Sequence, residues 1–423
     1  MRIPAMILSM LTGGALLAAT PLFAQLQTPL GNVGLPGIGR GVGDLLDTAE
    51  NGVDGLGRLA QREADRLLQL RDRRLTQLLR QNRDLVERDM RGDLARRGEI
   101  LVTGPTEGAM DALRRAGFSV IAEEQVEALD LAIVRLRVPA GLSLARAEAL
   151  ARKAAPEAEI AVDNLHSQSG LLGRHSSALP SPALLAATAG APVDTPIGII
   201  DGAPGPSFRL MAIKGFAKGA PLASDHGSAI VSLLRNEGAG RLWVADVYGS
   251  DPAGGNALAI VRALGWLASS GCKLVTISLV GPRNAVLERA IRQAQRRGIV
   301  IVAAVGNDGP AAPPAYPASY DAVVAVTGVD RKGRALIEVG RALHVDYAAP
   351  GAEVYAMNAR GRPVILRGTS FATPLVAIRL ADSLARGGDW QARLDREARD
   401  LGPRGEDRRF GRGLLCEQCA RNP

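Results

Sequence analysis

Two kinds of hydrophobic spacing divide the chain. After Pro192, short runs of Val, Ile and Leu bounded by turn residues alternate with stretches whose apolar residues recur every three or four positions. The continuous runs are TPIGIID (195–201), RLWVADVY (241–248), KLVTISL (273–279), GIVIVAAVGN (298–307) and AVVAVTGV (322–329). The periodic ones are SAIVSLLRN (228–236), GNALAIVRALGWLASSG (255–271) and NAVLERAIRQAQRRG (284–298). Strands that are apolar throughout are buried on both faces, so the pattern predicts a doubly wound, mostly parallel α/β sheet with helices on each side. Sheets of this kind place their sites beyond the carboxyl ends of the strands.

Upstream the pattern differs. Residues 98–167 read as strand (EILVTG), helix (TEGAMDALRRAG), two strands (FSVIAEEQV, LDLAIVRLRVP), helix (SLARAEALARKAA) and strand (EIAVDNLH). The order βαββαβ predicts a small ferredoxin-like α+β domain. Residues 168–192, rich in Ser, Pro, Gly and Ala, read as a linker. Within 25–97 a Gly-rich linker precedes an Arg-rich stretch, Leu56 to Arg97, with leucines at 67, 70, 75, 78, 79 and 85. That spacing predicts an amphipathic helix or helix pair. Its apolar face has two uses: packing on its own chain, or contact with a membrane surface through residues 50–97. Residues 1–24 carry Arg2, an apolar stretch and small residues ending at Ala24, the layout of a secretory signal. The expected location is therefore secreted or periplasmic.

Composition narrows the functions. The 423 residues include 47% hydrophobic ones, which permits a sizeable core. Aromatics are only 3%, too few for base-stacking platforms, and the net charge of +8 comes from arginines spread along the chain and clustered before residue 100. A nucleic-acid partner is thus not expected. Of three cysteines, Cys272 precedes an apolar run and reads as a buried thiol. Cys416 and Cys419, in the tail 416–423, are too few for a zinc site and read as a local disulfide or two free thiols.

Four polar residues stand where such a sheet keeps its site. Asp201 ends a strand and Asn307 lies just past another. His226 stands at the start of a helix, beside Asp225, which reads as the cap, and Ser370 lies at the mouth of another helix with Pro374 expected in its first turn. Each has a plain structural reading as a turn residue or a helix cap. Each also has a chemical one: a helix N-terminus keeps a histidine base neutral and an asparagine amide can donate to an oxyanion.

The sequence resembles the subtilisin-like serine proteases, or subtilases. IGIIDGAPG resembles their aspartate motif, DHGSAIVSLL the histidine motif, RGTSFATP the serine motif and AAVGNDG the oxyanion-asparagine motif. TISLVGP, YPASYDAVVAVTGVD, DYAAPG and GPRGEDRRFGRGLL are similar to further family segments, and the likeness spans about residues 193–415. It implies a catalytic domain with Asp201, His226 and Ser370 as catalytic triad and Asn307 as oxyanion donor. It further implies a substrate pocket walled by Ser278, Leu279, Val280 and Gly281 opposite Ala303, Ala304 and Val305, with Ala315 and Ala318 near its floor. The 98–167 domain resembles the family's propeptide, a chaperone and inhibitor. The expected partners are therefore protein or peptide substrates and the chain's own propeptide-like domain. Self-cleavage is expected between Leu165 and Arg174, after Leu165, Leu171 or Leu172.

Three departures are visible. Ser228 and Ala229 stand where the family usually has Thr and His, and Gly202 where it has a hydroxyl residue. The connection from Leu234 to Leu242 is short where many members carry a calcium loop, so no cofactor and no metal are expected. The reading is an exported serine endopeptidase made as a self-inhibited precursor. The alternative, an inactive subtilase fold acting as a binding protein, fits less well with a chain that keeps all four key residues.

Overall fold

The computed structural model describes residues 54–168, 171–172 and 191–419, with side chains for 61–168 and 191–419. The signal expected over 1–24 and most of both expected linkers lie outside the described residues.

The larger unit is a seven-stranded sheet, parallel at every described pairing. Its strands are β8 (Ile197–Asp201), β9 (Ala212–Gly215), β10 (Leu242–Asp246), β11 (Leu274–Ile277), β13 (Val300–Ala304), β14 (Val324–Val329) and β15 (Tyr347–Pro350). They lie in the order β15-β14-β13-β11-β8-β10-β9. The central strands are buried along their whole length, which is why they read as unbroken apolar runs. One face packs on α5 (Ala257–Ser269) and α6 (Ala285–Arg296). The other packs on α4 (Asp225–Asn236) and α7 (Thr369–Ala385). An antiparallel hairpin, β16 (Ala352–Met357) and β17 (Pro363–Arg367), feeds the chain into α7, and α8 (Trp390–Glu397) follows it.

The smaller unit has the ferredoxin-like order. β2 (Leu94–Thr103), β3 (Ser119–Val126), β4 (Leu131–Arg137) and β5 (Glu159–Asn164) form an antiparallel sheet in which β2 pairs both β4 and β5, and β4 pairs β3. α2 (Glu107–Arg115) and α3 (Leu144–Ala154) cover one face. The other face, with Leu101, Leu131, Ile133 and Ala161, packs on α5 and α6 in one continuous core. β5 also contacts the starts of both helices, accepting at α5 from one of the N–H groups that a helix start leaves without a helical partner. Asp163 accepts from Leu258 N at 2.9 Å, and Asn284, the cap of α6, donates to Val162 O at 2.7 Å. Arg289–Glu159 at 2.9 Å and a bidentate Arg262–Glu124 pair border this contact.

The sheet of the small unit starts earlier than its apolar pattern foretold. β1 (Val86–Arg88) and the beginning of β2 come from the stretch expected to be helical up to 97. The helix proper, α1, runs Asp54–Gln81. It turns its leucines onto its own chain: Leu67 packs against Gly309, and Leu78 is buried with Val86, Leu94 and Ala253. Arg74 and Arg71 reach Asp308 at 2.7 and 3.3 Å. Among the described residues no helix is long and apolar enough to cross a membrane. Cys272 is buried, its thiol pushed up to about 12 by that burial, and Cys416 and Cys419 are joined in a disulfide.

Candidate active site

Asp201 closes β8 at the carboxyl edge of the sheet and is fully buried. His226 is the second residue of α4. The cap there is Ser224, whose hydroxyl accepts from Gly227 N at 3.0 Å, and not Asp225 as the sequence suggested. Asp225 opens the helix and accepts from Ala359 N at 2.9 Å, which ties α4 to the hairpin. These anchors hold His226 with Nδ1 at 2.9 and 3.0 Å from the two Asp201 carboxylate oxygens. A carboxylate on Nδ1 fixes the ring so that Nδ1 carries the proton and Nε2 is left as the basic atom. His226 Nε2 is buried with no hydrogen-bond partner among the described residues. The ring of Phe371, next to Ser370, lies 5.3 Å from that of His226. The structure thus brings the two motifs and the serine motif together.

Ser370 does not cap its helix. The cap is Gly368, at φ 136°, a backbone angle that side chains rarely adopt, and it makes no side-chain cap bond. Pro374 lies in the second turn, not the first, and so cannot donate to the carbonyl four residues back, which is that of Ser370. Ser278 Oγ takes over, donating to Ser370 O at 3.0 Å, while Ser370 Oγ donates to Ser278 O at 3.2 Å. Ser278→Ala is therefore expected to cost about 1–2 kcal/mol. Urea unfolding of the Ser370→Ala chain with and without the change measures it, and equal stabilities would contradict this account.

Asn307 accepts from Thr369 N at 3.0 Å through its Oδ1, and Thr369 Oγ1 accepts from Gly306 N at 3.1 Å. The two loops are thereby stapled. Ser228, one of the departures, is fully used: its hydroxyl donates to Ser224 O at 2.6 Å and accepts from Gly205 N at 2.9 Å. Gly202 has no room for a side chain, since a Cβ would lie 2.4 Å from Ser224 Oγ.

The expected pocket is partly assembled. A cavity of about 380 Å³ is lined by Val280, Gly281, Val305, Gly306, Ala315 and Tyr316. Leu279, Ala303, Ala304 and Ala318 are wholly buried in the core behind it. Arg71 and Arg74 of α1 also line it, together with Arg91, Asp93, Arg283, Asp308 and Arg341, a set of charged residues that the sequence did not announce.

The region expected to be linker from 168 begins as paired backbone. β6 (Ser167–Gln168) runs antiparallel to β12 (Leu279–Val280), and β7 (Leu171–Leu172) runs antiparallel to β17. His166 N donates to Gly255 O at 2.8 Å, and Tyr248 OH donates to His166 O at 2.9 Å. Burial pushes the His166 ring down to about 4. Gln168 Nε2 donates to Asp201 Oδ1 at 3.0 Å. Nothing in HSQSG marks a strand, so this contact was not legible beforehand.

The profile of the subtilase family matches residues 217–413. Subtilisin DY of Bacillus licheniformis is 33% identical over 213 residues, covering 48% of this chain and 74% of that protein. The chain belongs to the subtilase family. It is a serine endopeptidase. Two solved structures share the subtilase's fold at low identity. Fervidolysin from Fervidobacterium pennivorans, a keratinolytic enzyme, has a TM-score of 0.62 at 16% identity, covering 78% of this chain and 62% of that one. The epidermin leader peptide processing serine protease of Staphylococcus aureus has 0.56 at 18%, covering 77% and 97%.

Proposed function

We propose that this peptidase works through Asp201, His226 and Ser370 and is exported as a self-inhibited precursor. The observation that carries the first part is the doubly short contact of His226 Nδ1 with Asp201, made beside a serine fixed at a helix start. In this reading Ser370 Oγ adds to the substrate carbonyl and His226 Nε2 takes its proton. The C–N bond then breaks, His226 hands the proton to the leaving amine, and water hydrolyses the resulting ester by the same route. Asp201 holds the imidazole and stabilises its charged form. The Ser370 N–H and the Asn307 amide receive the oxyanion, with the positive end of α7 behind them. Labelling with a fluorophosphonate, abolished in Ser370→Ala, tests the assignment.

The precursor reading is supported by the backbone pairing of residues 167–168 and 171–172 on either side of Ser370, where an extended substrate would lie. The 98–167 unit, docked on α5 and α6, holds that segment in place, and α1 braces it over the pocket. Secretion, the signal over 1–24 and release of this unit after self-cleavage belong to the same proposal.

Specificity follows from the pocket's own walls. Val280, Val305 and Ala315 offer no charge to pair with, and burying an unpaired charge is costly. An uncharged, apolar residue before the cut bond is therefore expected. A peptide library measures it, and a preference for Arg or Asp there would contradict the assignment.

Calcium is proposed to play no part at the turn after α4, where five residues, 237–241, join the helix directly to β10. The melting temperature is expected to stay within about 2 °C on chelation, a shift worth well under 1 kcal/mol. A sharp fall would refute this.

A further inference from the structure

One buried charge lies beside the site and takes no part in the chemistry proposed above. Glu338 stands in the connection between β14 and β15, and its side chain is buried. Its partner is Arg367, the last residue of β17, which leads through Gly368 and Thr369 to Ser370. Two guanidinium nitrogens meet the carboxylate: Nη2 donates to Oε2 at 2.8 Å, and Nε lies 2.7 Å from Oε1. A planar fork on a carboxylate fixes distance and plane together, which a lysine would not do. The connection that carries Glu338 also lies against the loop that carries Asn307. Gly309 N donates to Glu338 O at 3.0 Å, and Gly340 N donates to Gly306 O at 2.7 Å. The approach is so close that a Cβ on Gly340 would stand 2.5 Å from Val305 O. The backbone around Glu338 therefore holds the Asn307 loop on both sides of Asn307, while the Glu338 carboxylate holds the strand that delivers Ser370. A buried ion pair often gains little stability over well-packed apolar side chains, and what it adds here is a fixed geometry.

We propose that Glu338 and Arg367 are positioning residues that hold the Asn307 loop and Ser370 at the spacing needed to stabilise the oxyanion. The proposal rests on the reading that gives Asn307 the oxyanion, and adds the residues that set its place. A catalytic group displaced by about 1 Å can cost about a hundredfold in rate. The pair is therefore expected to act on kcat and not on substrate binding.

The test is Arg367→Met in the purified protein. Rates are measured on a peptide with an apolar residue before the cut bond and counted per Ser370 that takes a fluorophosphonate. kcat is expected to fall about 10–100-fold, with KM changed by less than about twofold. The deciding arm is the same change in an Asn307→Ala background, where the amide that the pair places is gone. There it is expected to lower kcat less than about threefold, because residues that act through one another are not additive. An equal fall in both backgrounds would mean a merely structural role and overturns the proposal, as does an unchanged kcat in Arg367→Met alone. Arg367→Met leaves the Glu338 carboxylate buried and unpaired, so Glu338→Leu with Arg367→Met is taken through the same cycle. That variant buries no lone charge, and its melting temperature is expected to stay near the parent's while its kcat stays as low as that of Arg367→Met. Recovery of kcat along with stability overturns the proposal. If Asn307→Ala by itself lowers kcat as expected, the oxyanion reading survives that failure. If Asn307→Ala costs nothing, both fall together.

Discussion

Alanine at position 370 is expected to abolish peptide hydrolysis and self-processing. The loss should approach six orders of magnitude in turnover, a scale set by subtilisin, a relative. In the proposed triad Asp201 and His226 serve one oxygen, that of Ser370. His226 is oriented by two contacts to the carboxylate, and its Nε2 has no partner among the described residues. Without the Ser370 hydroxyl that base has nothing to deprotonate, and only the oxyanion donors and substrate binding remain. Because α7 is capped by Gly368 and not by Ser370, the alanine chain should keep its fold. Comparable hydrolysis rates for the two proteins would show that the nucleophile lies elsewhere.

Asn307→Ala is expected to lower turnover by about 10²–10³ with little change in KM. That magnitude, too, is known from subtilisin. In the proposed mechanism the amide meets charge that exists only in the transition state, so its loss is expected to act on kcat. Asn307 Oδ1 accepts from Thr369 N, and Thr369 Oγ1 accepts from Gly306 N. A variant with turnover intact would remove Asn307 from the mechanism.

The sheet was legible because its central strands are buried on both faces and carry no polar alternation. Asp201 and Asn307 were legible for a related reason, as polar residues at the carboxyl ends of such strands. What escaped has the opposite character. β9 is an edge strand whose residues, Lys214 among them, are partly exposed, so AIKG shows no apolar run. β6 and β7 are two residues each and exist only because β12 and β17 offer them backbone partners. Ser224 and Asp225 are both good caps, and only the backbone angles choose between them. The docking of α1 was half legible. Its leucine spacing announced an apolar face, but Asp308 and Gly309, which that face meets, lie more than 200 residues away along the chain. The role of Pro374 depended on counting from the true helix start, Thr369, six residues before the Leu375 that opens LVAIRLADSLARG.

The most direct test of the account is to label the purified protein with a fluorophosphonate and map the modified residue by peptide mass spectrometry. The account predicts a single adduct on Ser370 that disappears in His226→Ala. An adduct on another serine, or labelling of Ser370 that persists without His226, would contradict it.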